Sequence, residues 1–520
     1  MSSLGDPRSQ ASVADFLGQM RQKGVRFWME EGRLRYKGVK GALTPEDVSV
    51  LKSNREQIIQ LLTKPAESAG PHGTHPGHAA TCAPLAYSQL AHWNLYGLAE
   101  RTSYRQLATA ARLRGCIDVQ VLRKSLAALV RAQPALRTRV FATGGVPVQS
   151  VLETAEVGMS SIDLSGLAGS NREREIRRIL NEMILEPVDP ASDSLVSVAL
   201  LRLGANEYAL LFSMEHMISD AFSMGIFLRS LLAGYAQLIR GEPLSLPQVD
   251  VSFADYAIWQ MGTEATWLSR HGRYWTERLA GASRVRFPSS GRRPGHESGW
   301  SWASIHVQRS LKAQLQECCR LQQTTPAMAA FACYVALVCR WCGVSDLVVQ
   351  YETSGREDPR VANTIGYFAS AICLRVRCEP QDTFAHLIKR VTEEYCSAHH
   401  HADAAYYESR EPRPEVYRNT YFNWVPQSAP IDLSSLNGTP YALEVELLPF
   451  DNPVLERIHR DNEPIMLLFD EGLQVTGGVF YPLERFSPLE MERLARNYKT
   501  FLQALAESPG SKVNRVELVD

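Results

Sequence analysis

The stretch that decides the fold of this chain is "LLFSMEHMISDAFSMG", residues 210–225. An apolar run ends just before His216, Asp220 follows four residues later, and a second apolar run then begins. A short apolar run is typical of a buried strand, whereas the second run is long enough for a helix. The stretch therefore predicts a strand over residues 207–214, a loop that carries His216, and a helix that begins near Ala221.

His216 and Asp220 each allow a structural and a functional interpretation. Asp220 stands at the N-cap position of the predicted helix, where a carboxylate accepts backbone N–H groups and faces the positive end of the helix dipole. A single histidine at the end of a strand is more often a partly buried structural residue. A base that titrates near neutral pH nevertheless suits the removal of a proton from an amine or hydroxyl nucleophile. On this stretch alone, both interpretations stay open.

Composition and motifs argue against several classes of function. The formal net charge is −1 and charged residues make up 21% of the chain, which gives no global reason to expect nucleic acid or an anionic membrane as a partner. The N-terminus has no apolar signal region, and no apolar run is long enough to span a bilayer, so a cytoplasmic location is expected. The sequence contains no phosphate-binding loop, dinucleotide fingerprint, nucleophile elbow or HExxH zinc motif.

The cysteines and histidines do not predict a metal site. The only CxxC among the ten cysteines joins Cys339 to Cys342 inside an apolar helical run, and no second pair completes a zinc site. Three histidines near residue 75 lie in a flexible polar segment, and the tract of residues 399–401 is expected at a helix end. We therefore expect reduced thiols and no metal.

The first 83 residues divide into a small folded unit and a linker. Residues 1–64 predict a helix over 12–24, a β-hairpin that turns at Glu31-Gly32, and a second helix over 44–62. Residues 65–83 are rich in proline, glycine, alanine and histidine and lack an apolar period, so they predict a flexible linker.

From residue 84 onward, strands alternate with helices, which predicts an α/β fold. The length of this part exceeds what one core accommodates, so two lobes are expected, over residues 84–265 and 266–520. Apart from the central stretch, the sequence predicts helices over 116–136, 309–323 and 326–343, and a strand over 345–355.

Residues 84–520 resemble the condensation domains of nonribosomal peptide synthetases, which are relatives of chloramphenicol acetyltransferase. "EHMISDA" (215–221) aligns with the family's HHxxxDG motif, and the opening motif "PLAYSQLAHWNLY" has Ser88, Gln89 and Trp93 in place. The other matches, in the family's order, are "LVRAQPALRTRVF" (129–141), "VSFADYAIWQ" (251–260), "TSGRED" (353–358), "IGYFASAICLRV" (365–376) and, more loosely, "HADAAYYE" (401–408) and "YRNTYFNW" (417–424).

The resemblance implies two chloramphenicol-acetyltransferase-like lobes in a V-shaped pseudo-dimer, preceded by a small α+β docking domain. A tunnel between the lobes holds the active site, and carrier proteins reach it with substrates on phosphopantetheine arms. His216 matches the family's second histidine, which positions or deprotonates the nucleophile. Asp220 matches a structural aspartate whose usual partner would be Arg356. No metal and no directly bound cofactor is implied.

Two residues depart from the family's motif. Glu215 replaces the first histidine, which is mainly structural in the family, and Ala221 replaces a glycine on the expected pantetheine path. Adjacent residues of an extended segment point to opposite sides, so direct pairing of Glu215 with His216 is not favoured. We expect Glu215, Ser219 and Ala221 to neighbour the active site. A non-catalytic, condensation-like module that captures a carrier protein stays an alternative.

Residues 1–64 resemble the β-hairpin docking domains of such synthetases, which capture a short segment at a partner's C-terminal tail. Residues 21–40 carry five more basic than acidic side chains, which favours an acidic tail, and an exposed hairpin edge can accept an added strand. An ordinary solvated basic face is the alternative. The expected docking surface comprises Arg26, Arg33, Arg35, Lys37 and Lys40.

Together these features predict a free-standing condensation-type acyltransferase that acts in trans, because the sequence shows no adenylation signature and no carrier-protein serine motif. The expected reaction moves an acyl chain from the thioester of an acyl or peptidyl carrier protein to an acceptor amine or hydroxyl. Its product is an amide or ester, formed in chain release from a polyketide or nonribosomal peptide assembly line. The acceptor is a small molecule or is itself carrier-bound, and a monomer is expected.

Overall fold

The structure is a computed structural model of the 520-residue chain. For residues 26–30 and 33–37 it describes the backbone alone. The remaining described residues are Asp47, Val50, Leu51 and Ser53, and then 82–96, 106–191, 194–289, 299–402, 420–426, 431–448 and 463–518.

The predicted N-terminal hairpin is present. Strand β1 (Arg26–Glu30) pairs antiparallel with β2 (Arg33–Lys37), and two residues, Glu31 and Gly32, connect them. The register sets Arg26 opposite Lys37. The predicted helix over 12–24 lies outside the described residues, and the four described residues of the helix over 44–62 are helical.

The first half of the larger region, residues 82–289, consists of strands that form two antiparallel-rich sheets and helices that pack on them. Its elements are β3 (Cys82–Pro84), α1 (Tyr87–Tyr96), β4 (Gln106–Arg114), α2 (Val119–Ala132), β5 (Thr138–Thr143), β6 (Val146–Val151), β7 (Met159–Asp163), α3 (Gly169–Leu185), β8 (Val196–Arg202), β9 (Glu207–Glu215), α4 (Ala221–Ile239) and α5 (Phe253–Leu279).

The second half, residues 299–518, repeats the mixture of helices and strands. Its elements are β10 (Trp300–Val307), α6 (Arg309–Leu321), α7 (Pro326–Cys342), β11 (Asp346–Thr353), β12 (Ser370–Arg377), α8 (Phe384–His400), β13 (Tyr421–Val425), β14 (Glu444–Leu447), β15 (Ile465–Asp470), β16 (Val475–Pro482) and α9 (Pro488–Glu507).

Three sheets organise these elements. A six-stranded sheet has the order β10-β16-β15-β13-β11-β12, a five-stranded sheet has the order β14-β4-β9-β8-β7, and a three-stranded sheet has the order β3-β6-β5. The two larger sheets each support an apolar core. The mixed α/β architecture predicted from the alternation of strands and helices is therefore confirmed.

The central stretch folds as its sequence predicts. Strand β9 lies between β4 and β8, and its last seven residues are buried, which explains why the run has no polar alternation. Helix α4 begins at Ala221, and Gly241 follows its end with φ 69°. Although α4 is long and apolar enough to cross a membrane, 61% of its apolar 18-residue window is buried inside the protein. Its apolar length therefore fits the core of this fold.

Two features join the halves. Helix α5 runs without a break through residues 265 and 266, where the lobe boundary is predicted. Strand β14, from the second half of the chain, pairs antiparallel with β4 and forms the edge of the first half's sheet. Leu436 and Leu443, on the approach to β14, pack into the core of that sheet. Part of the first core is therefore built from distant sequence.

Candidate active site

His216 opens a short 3-10 turn, His216–Ile218, that leaves the central strand β9. The side chain is partly exposed, and its Nδ1 lies 2.9 Å from the carbonyl oxygen of Ser219. A carbonyl oxygen only accepts hydrogen bonds, so Nδ1 carries the proton in the neutral ring. The lone pair is then on Nε2, which is the tautomer that a general base requires.

Two aromatic side chains surround the His216 ring. The ring centroid of Tyr367 lies 4.4 Å from that of His216, and the centroid of His92 lies 4.8 Å from it. Neither neighbour was predicted from the sequence. Tyr367 comes from the other half of the chain, so no local pattern places it beside His216. For His92 a signal existed: the residue lies four positions after Ser88, so a helix brings both to one face.

The opening motif holds the loop that carries His216. Gln89 Nε2 donates to the carbonyl oxygen of Met217 at 2.9 Å. Ser88 Oγ donates to the carbonyl oxygen of Tyr367 at 2.7 Å. Trp93 packs in the small apolar cluster that contains Met217. Gln89 and Trp93 therefore support the turn at His216, and Ser88 supports Tyr367 beside it. These contacts position the site and do not take part in the chemistry.

Asp220 caps α4 and is 1% exposed. Its Oδ1 accepts the backbone N–H of Ser223 at 2.7 Å, and its Oδ2 accepts the N–H of Phe368 at 3.0 Å. The Arg356 guanidinium pairs with Asp220 at 3.1 Å, and that side chain is 6% exposed. The contact that the resemblance implied is thus present, and it joins the start of α4 to the second half.

Arg356 is held by groups other than Asp220. Its Nη1 donates to the carbonyl oxygens of Val361 and Thr364, at 2.9 and 2.7 Å, and its guanidinium lies over the Phe368 ring at 4.4 Å. The preceding Gly355 has φ +62°, and a Cβ there would come within 1.9 Å of the Phe368 carbonyl oxygen. Only glycine therefore lets the chain deliver Arg356 to Asp220.

The departures from the motif have clear positions. Glu215 ends β9, is fully buried, and accepts the backbone N–H of Met217, so it caps the turn that carries His216. Ser219 Oγ donates to the carbonyl oxygen of Glu215 at 3.0 Å. Ala221 is the first residue of α4 and is partly exposed. Glu215 precedes His216 directly, whereas Ser219 and Ala221 follow it by three and five positions. Their assignment as neighbours of the active site stays a prediction.

The other candidate groups are found among the cysteines and in the histidine tract at the end of α8. Burial raises the pKa of both Cys319 and Cys342 to about 12, which leaves these thiols protonated at neutral pH. His399 Nε2 lies 2.9 Å from a Glu357 carboxylate oxygen, and this hydrogen bond raises the pKa of His399. In the part of the chain that the structure describes, no group of three His, Cys, Asp or Glu side chains forms a metal site.

A cleft of about 630 Å³ lies where α5, β12 and α8 meet, and it does not include His216. It is lined by four arginines together with Tyr274 and two glutamates. The four arginines lie within ion-pair distance of three carboxylates, because Arg375 and Arg377 share Asp346. The pairs are Arg278–Glu394, Arg375–Asp346, Arg377–Asp346 and Arg390–Asp382.

The basic hairpin is described in part. Positions 33, 35 and 37 alternate along β2, and the register sets them opposite Glu30, Trp28 and Arg26. Lys40 lies outside the described residues. The assignment of these residues to a docking surface stays a prediction.

The fold and the site define the class to which the chain belongs. The chain has a mixed α/β fold in two halves, with His216 after the central strand β9 and the Asp220–Arg356 pair next to it in the chain's fold. The family model described as "Condensation domain" matches residues 79–415, and the "TubC N-terminal docking domain" matches residues 13–64. The first match covers more than half of the chain, so the chain belongs to the condensation-domain family of nonribosomal peptide synthetases.

Known proteins agree with this assignment. A linear gramicidin synthase polypeptide of Brevibacillus parabrevis is 30% identical over 330 residues, which are 62% of this chain and 6% of that protein. The phosphinothricin tripeptide synthetase PhsC of Streptomyces viridochromogenes is 25% identical over 479 residues, which are 89% of this chain and 43% of that protein. The chain therefore spans less than half the length of either relative.

Solved structures support the fold. The first condensation domain of the calcium-dependent antibiotic synthetase superposes with a TM-score of 0.71 at 19% identity, covering 85% of this chain and 100% of that one. The X-domain from teicoplanin biosynthesis superposes with a TM-score of 0.67 at 21% identity, covering 87% of this chain and 100% of that one. The similarity extends beyond the residues of the family match to most of the chain.

Proposed function

We propose that this protein is a condensation-type acyltransferase that takes an acyl chain from the phosphopantetheine thioester of a carrier protein. The acceptor is an amine or a hydroxyl, and the product is an amide or an ester. The observation that carries this proposal is the geometry of His216, whose Nδ1–H is held by the Ser219 carbonyl so that Nε2 carries the lone pair. The family assignment supports the same chemistry.

The reaction needs one base and no bound cofactor. Nε2 of His216 accepts a proton from the nucleophile as its nitrogen or oxygen forms a bond to the thioester carbonyl carbon. The carbon–sulfur bond then breaks, and the imidazolium returns the proton to the phosphopantetheine sulfur, which leaves as a thiol. A positioned base of this kind contributes about 10²- to 10⁴-fold to the rate. Asp220 and Arg356 keep the turn in place and do not take part in proton transfer.

Action in trans is the finer part of the proposal. The docking-domain match at residues 13–64 supports capture of a carrier protein through a segment at its C-terminal tail. The two hairpin strands carry Arg26, Arg33, Arg35 and Lys37 in their sequence, and a basic segment of this kind attracts an acidic tail. When the acceptor is a small molecule, the transfer releases the chain from its assembly line.

The test is intact-mass detection of acyl transfer. Carrier protein loaded with a panel of acyl chains is incubated with the full-length protein and with amine or alcohol acceptors. The mass of the intact carrier is then measured by mass spectrometry. We expect loss of the acyl mass and appearance of the amide or ester only when an acceptor is present. Absence of product with every carrier, amine and alcohol would refute acyl transfer.

A non-catalytic recruitment module is the second candidate, and the residues at the motif favour it: Glu215 and Ala221 replace the histidine and glycine of HHxxxDG. The X-domain from teicoplanin biosynthesis, whose fold is similar, forms a complex with OxyB. Capture of a carrier protein without any acyl transfer would support this candidate. Carrier binding is therefore measured in the same samples, by calorimetry.

A further inference from the structure

The ring cluster at the site contains a second histidine that the proposed chemistry does not use. His92 is 4% exposed, and its ring centroid lies 4.8 Å from that of His216 and 4.9 Å from that of Tyr367. Since Tyr367 and His216 are 4.4 Å apart, the three centroids form a nearly equilateral triangle. His92 and Tyr367 therefore contact each other, and both contact the His216 ring.

Helix α1 holds both rings that contact His216, those of His92 and Tyr367. Ser88 Oγ holds the backbone of Tyr367, and His92, one turn later on α1, meets the Tyr367 ring edge-on with an interplanar angle of 86°. Gln89 holds the carbonyl oxygen of Met217, next to His216. Helix α1 thus contacts the backbone of Tyr367 and the backbone of the turn that carries His216. Through His92 it also contacts the rings of Tyr367 and His216.

A histidine ring needs such support because its outer torsion is loosely determined. The second side-chain torsion of histidine is broad and nearly two-fold, so rotation of the ring by half a turn exchanges Nδ1 with a carbon. In His216 the hydrogen bond to Ser219 opposes that rotation, but the net contribution of a single hydrogen bond is modest. A packed neighbouring ring adds a favourable ring contact and opposes the same rotation sterically.

We propose that His92 is a positioning residue for His216: its ring, together with that of Tyr367, holds the His216 imidazole with Nδ1 on the Ser219 carbonyl and Nε2 directed to the reacting groups. This inference rests on the proposed function, because it assigns the purpose of the cluster to the transfer reaction. The role belongs to the shape and aromatic surface of the His92 ring. It does not require proton transfer by His92.

Two substitutions distinguish the contribution of the His92 aromatic ring from that of its nitrogen atoms. His92→Phe keeps an aromatic ring of similar size, whereas His92→Leu removes the ring and leaves an apolar side chain. We expect His92→Leu to lower kcat about tenfold or more, with KM changed less than twofold, because a looser base affects the transition state more than substrate binding. We expect His92→Phe to restore kcat to within about threefold of the wild-type value. The matched control is His386→Leu, an exposed histidine in the first turn of α8.

The decisive readout does not depend on turnover. In protein labelled with ¹⁵N-histidine, long-range nitrogen–proton NMR spectra report which ring nitrogen is protonated, and a His216→Gln spectrum assigns the His216 signals. We expect a single Nδ1–H tautomer of His216 in the wild type and in His92→Phe, and a mixture of tautomers in His92→Leu. An unchanged single tautomer in His92→Leu overturns the proposal, and so does a His92→Phe variant as impaired as His92→Leu.

A third variant guards against misfolding. If His92→Leu fails to fold, Tyr367→Leu removes the other ring and keeps the backbone contact with Ser88; it should give the same mixture of tautomers, and a single tautomer overturns the proposal. If the wild type transfers no acyl group, the proposed function fails while the NMR spectra still decide the positioning role.

Discussion

At the scale of single residues, the site depends on a charged pair that touches both halves. Asp220 accepts three backbone N–H groups in addition to Arg356, and Arg356 in turn donates to three carbonyl oxygens of the second half. Removing one member of a buried pair leaves the other without compensation, which costs more than the pair itself contributes. The pair therefore matters to folding more than to proton transfer.

Arg356→Ala should lower the free energy of unfolding by about 3–5 kcal/mol, as measured by urea denaturation. The control is Arg273→Ala, which removes the exposed pair with Glu277 and should cost about 0–1 kcal/mol, because Arg273 is 83% exposed. Equal losses in the two variants would contradict the structural role of the Asp220–Arg356 pair.

Gly355→Ala tests the close approach that precedes Arg356. Gly281 also has positive φ, but nothing lies within 4 Å of a Cβ placed there, so both substitutions carry similar backbone strain and only Gly355 adds a steric clash. We expect Gly355→Ala to be less stable than Gly281→Ala by about 1–3 kcal/mol in urea denaturation. Similar stabilities would show that the turn at Gly355 relaxes easily.

At the scale of helices and strands, the sequence predicted what local pattern determines. The apolar run of β9, the cap at Asp220 and the two-residue hairpin loop each depend on neighbours in sequence, and each was found as predicted. The pairing of β14 with β4 and the ring contact of His92 with His216 depend on residues far apart in the chain. No periodicity reports such contacts, so they had to come from the structure.

The last turn of α8 offers a pH-dependent contact with the segment that follows β11. The hydrogen bond to Glu357 raises the pKa of His399, and the hydrogen bond from His399 lowers the pKa of Glu357. The contribution of His399 is complete below its ordinary pKa of 6.5 and is lost as pH rises through the raised value. The contribution of Glu357 is present above its ordinary pKa of 4.5 and is lost as pH falls.

A double-mutant cycle with His399→Gln and Glu357→Gln should therefore show a coupling free energy near pH 6 that disappears by about pH 9. Both side chains are partly exposed, at 30% and 51%, so screening by solvent limits the coupling to about 0.5 kcal/mol. Unfolding in urea at the two pH values measures it. A coupling free energy that increases with pH would contradict an interaction between protonated His399 and ionised Glu357.

At the scale of the whole molecule, the two halves share the site. Helix α5 is continuous between them, and β14 returns to the first sheet. Gln133 adds a further connection, because its side chain donates to the Asn363 carbonyl at 2.8 Å and accepts the Ile365 N–H at 3.0 Å. These links hold His216, from one half, beside Tyr367, from the other.

The docking domain belongs to this scale as well. If the hairpin captures an acidic tail, the double substitution Arg33→Glu, Arg35→Glu should weaken carrier binding at least tenfold in calorimetry, and binding by the wild type should weaken as salt rises. Lys389→Glu is the control, because Lys389 is 78% exposed on α8 and far along the chain from the hairpin. Binding that is insensitive to salt and to the double substitution would refute an electrostatic docking surface.

The central claim is that Nε2 of His216 is the base for acyl transfer, and single-turnover kinetics test it most directly. The full-length protein, in excess over a loaded carrier and with a productive acceptor, is compared with His216→Ala and with the control His386→Ala. We predict a transfer rate about 10²- to 10⁴-fold lower for His216→Ala, with carrier affinity unchanged, and a normal rate for His386→Ala. Transfer by His216→Ala at the wild-type rate would contradict the account.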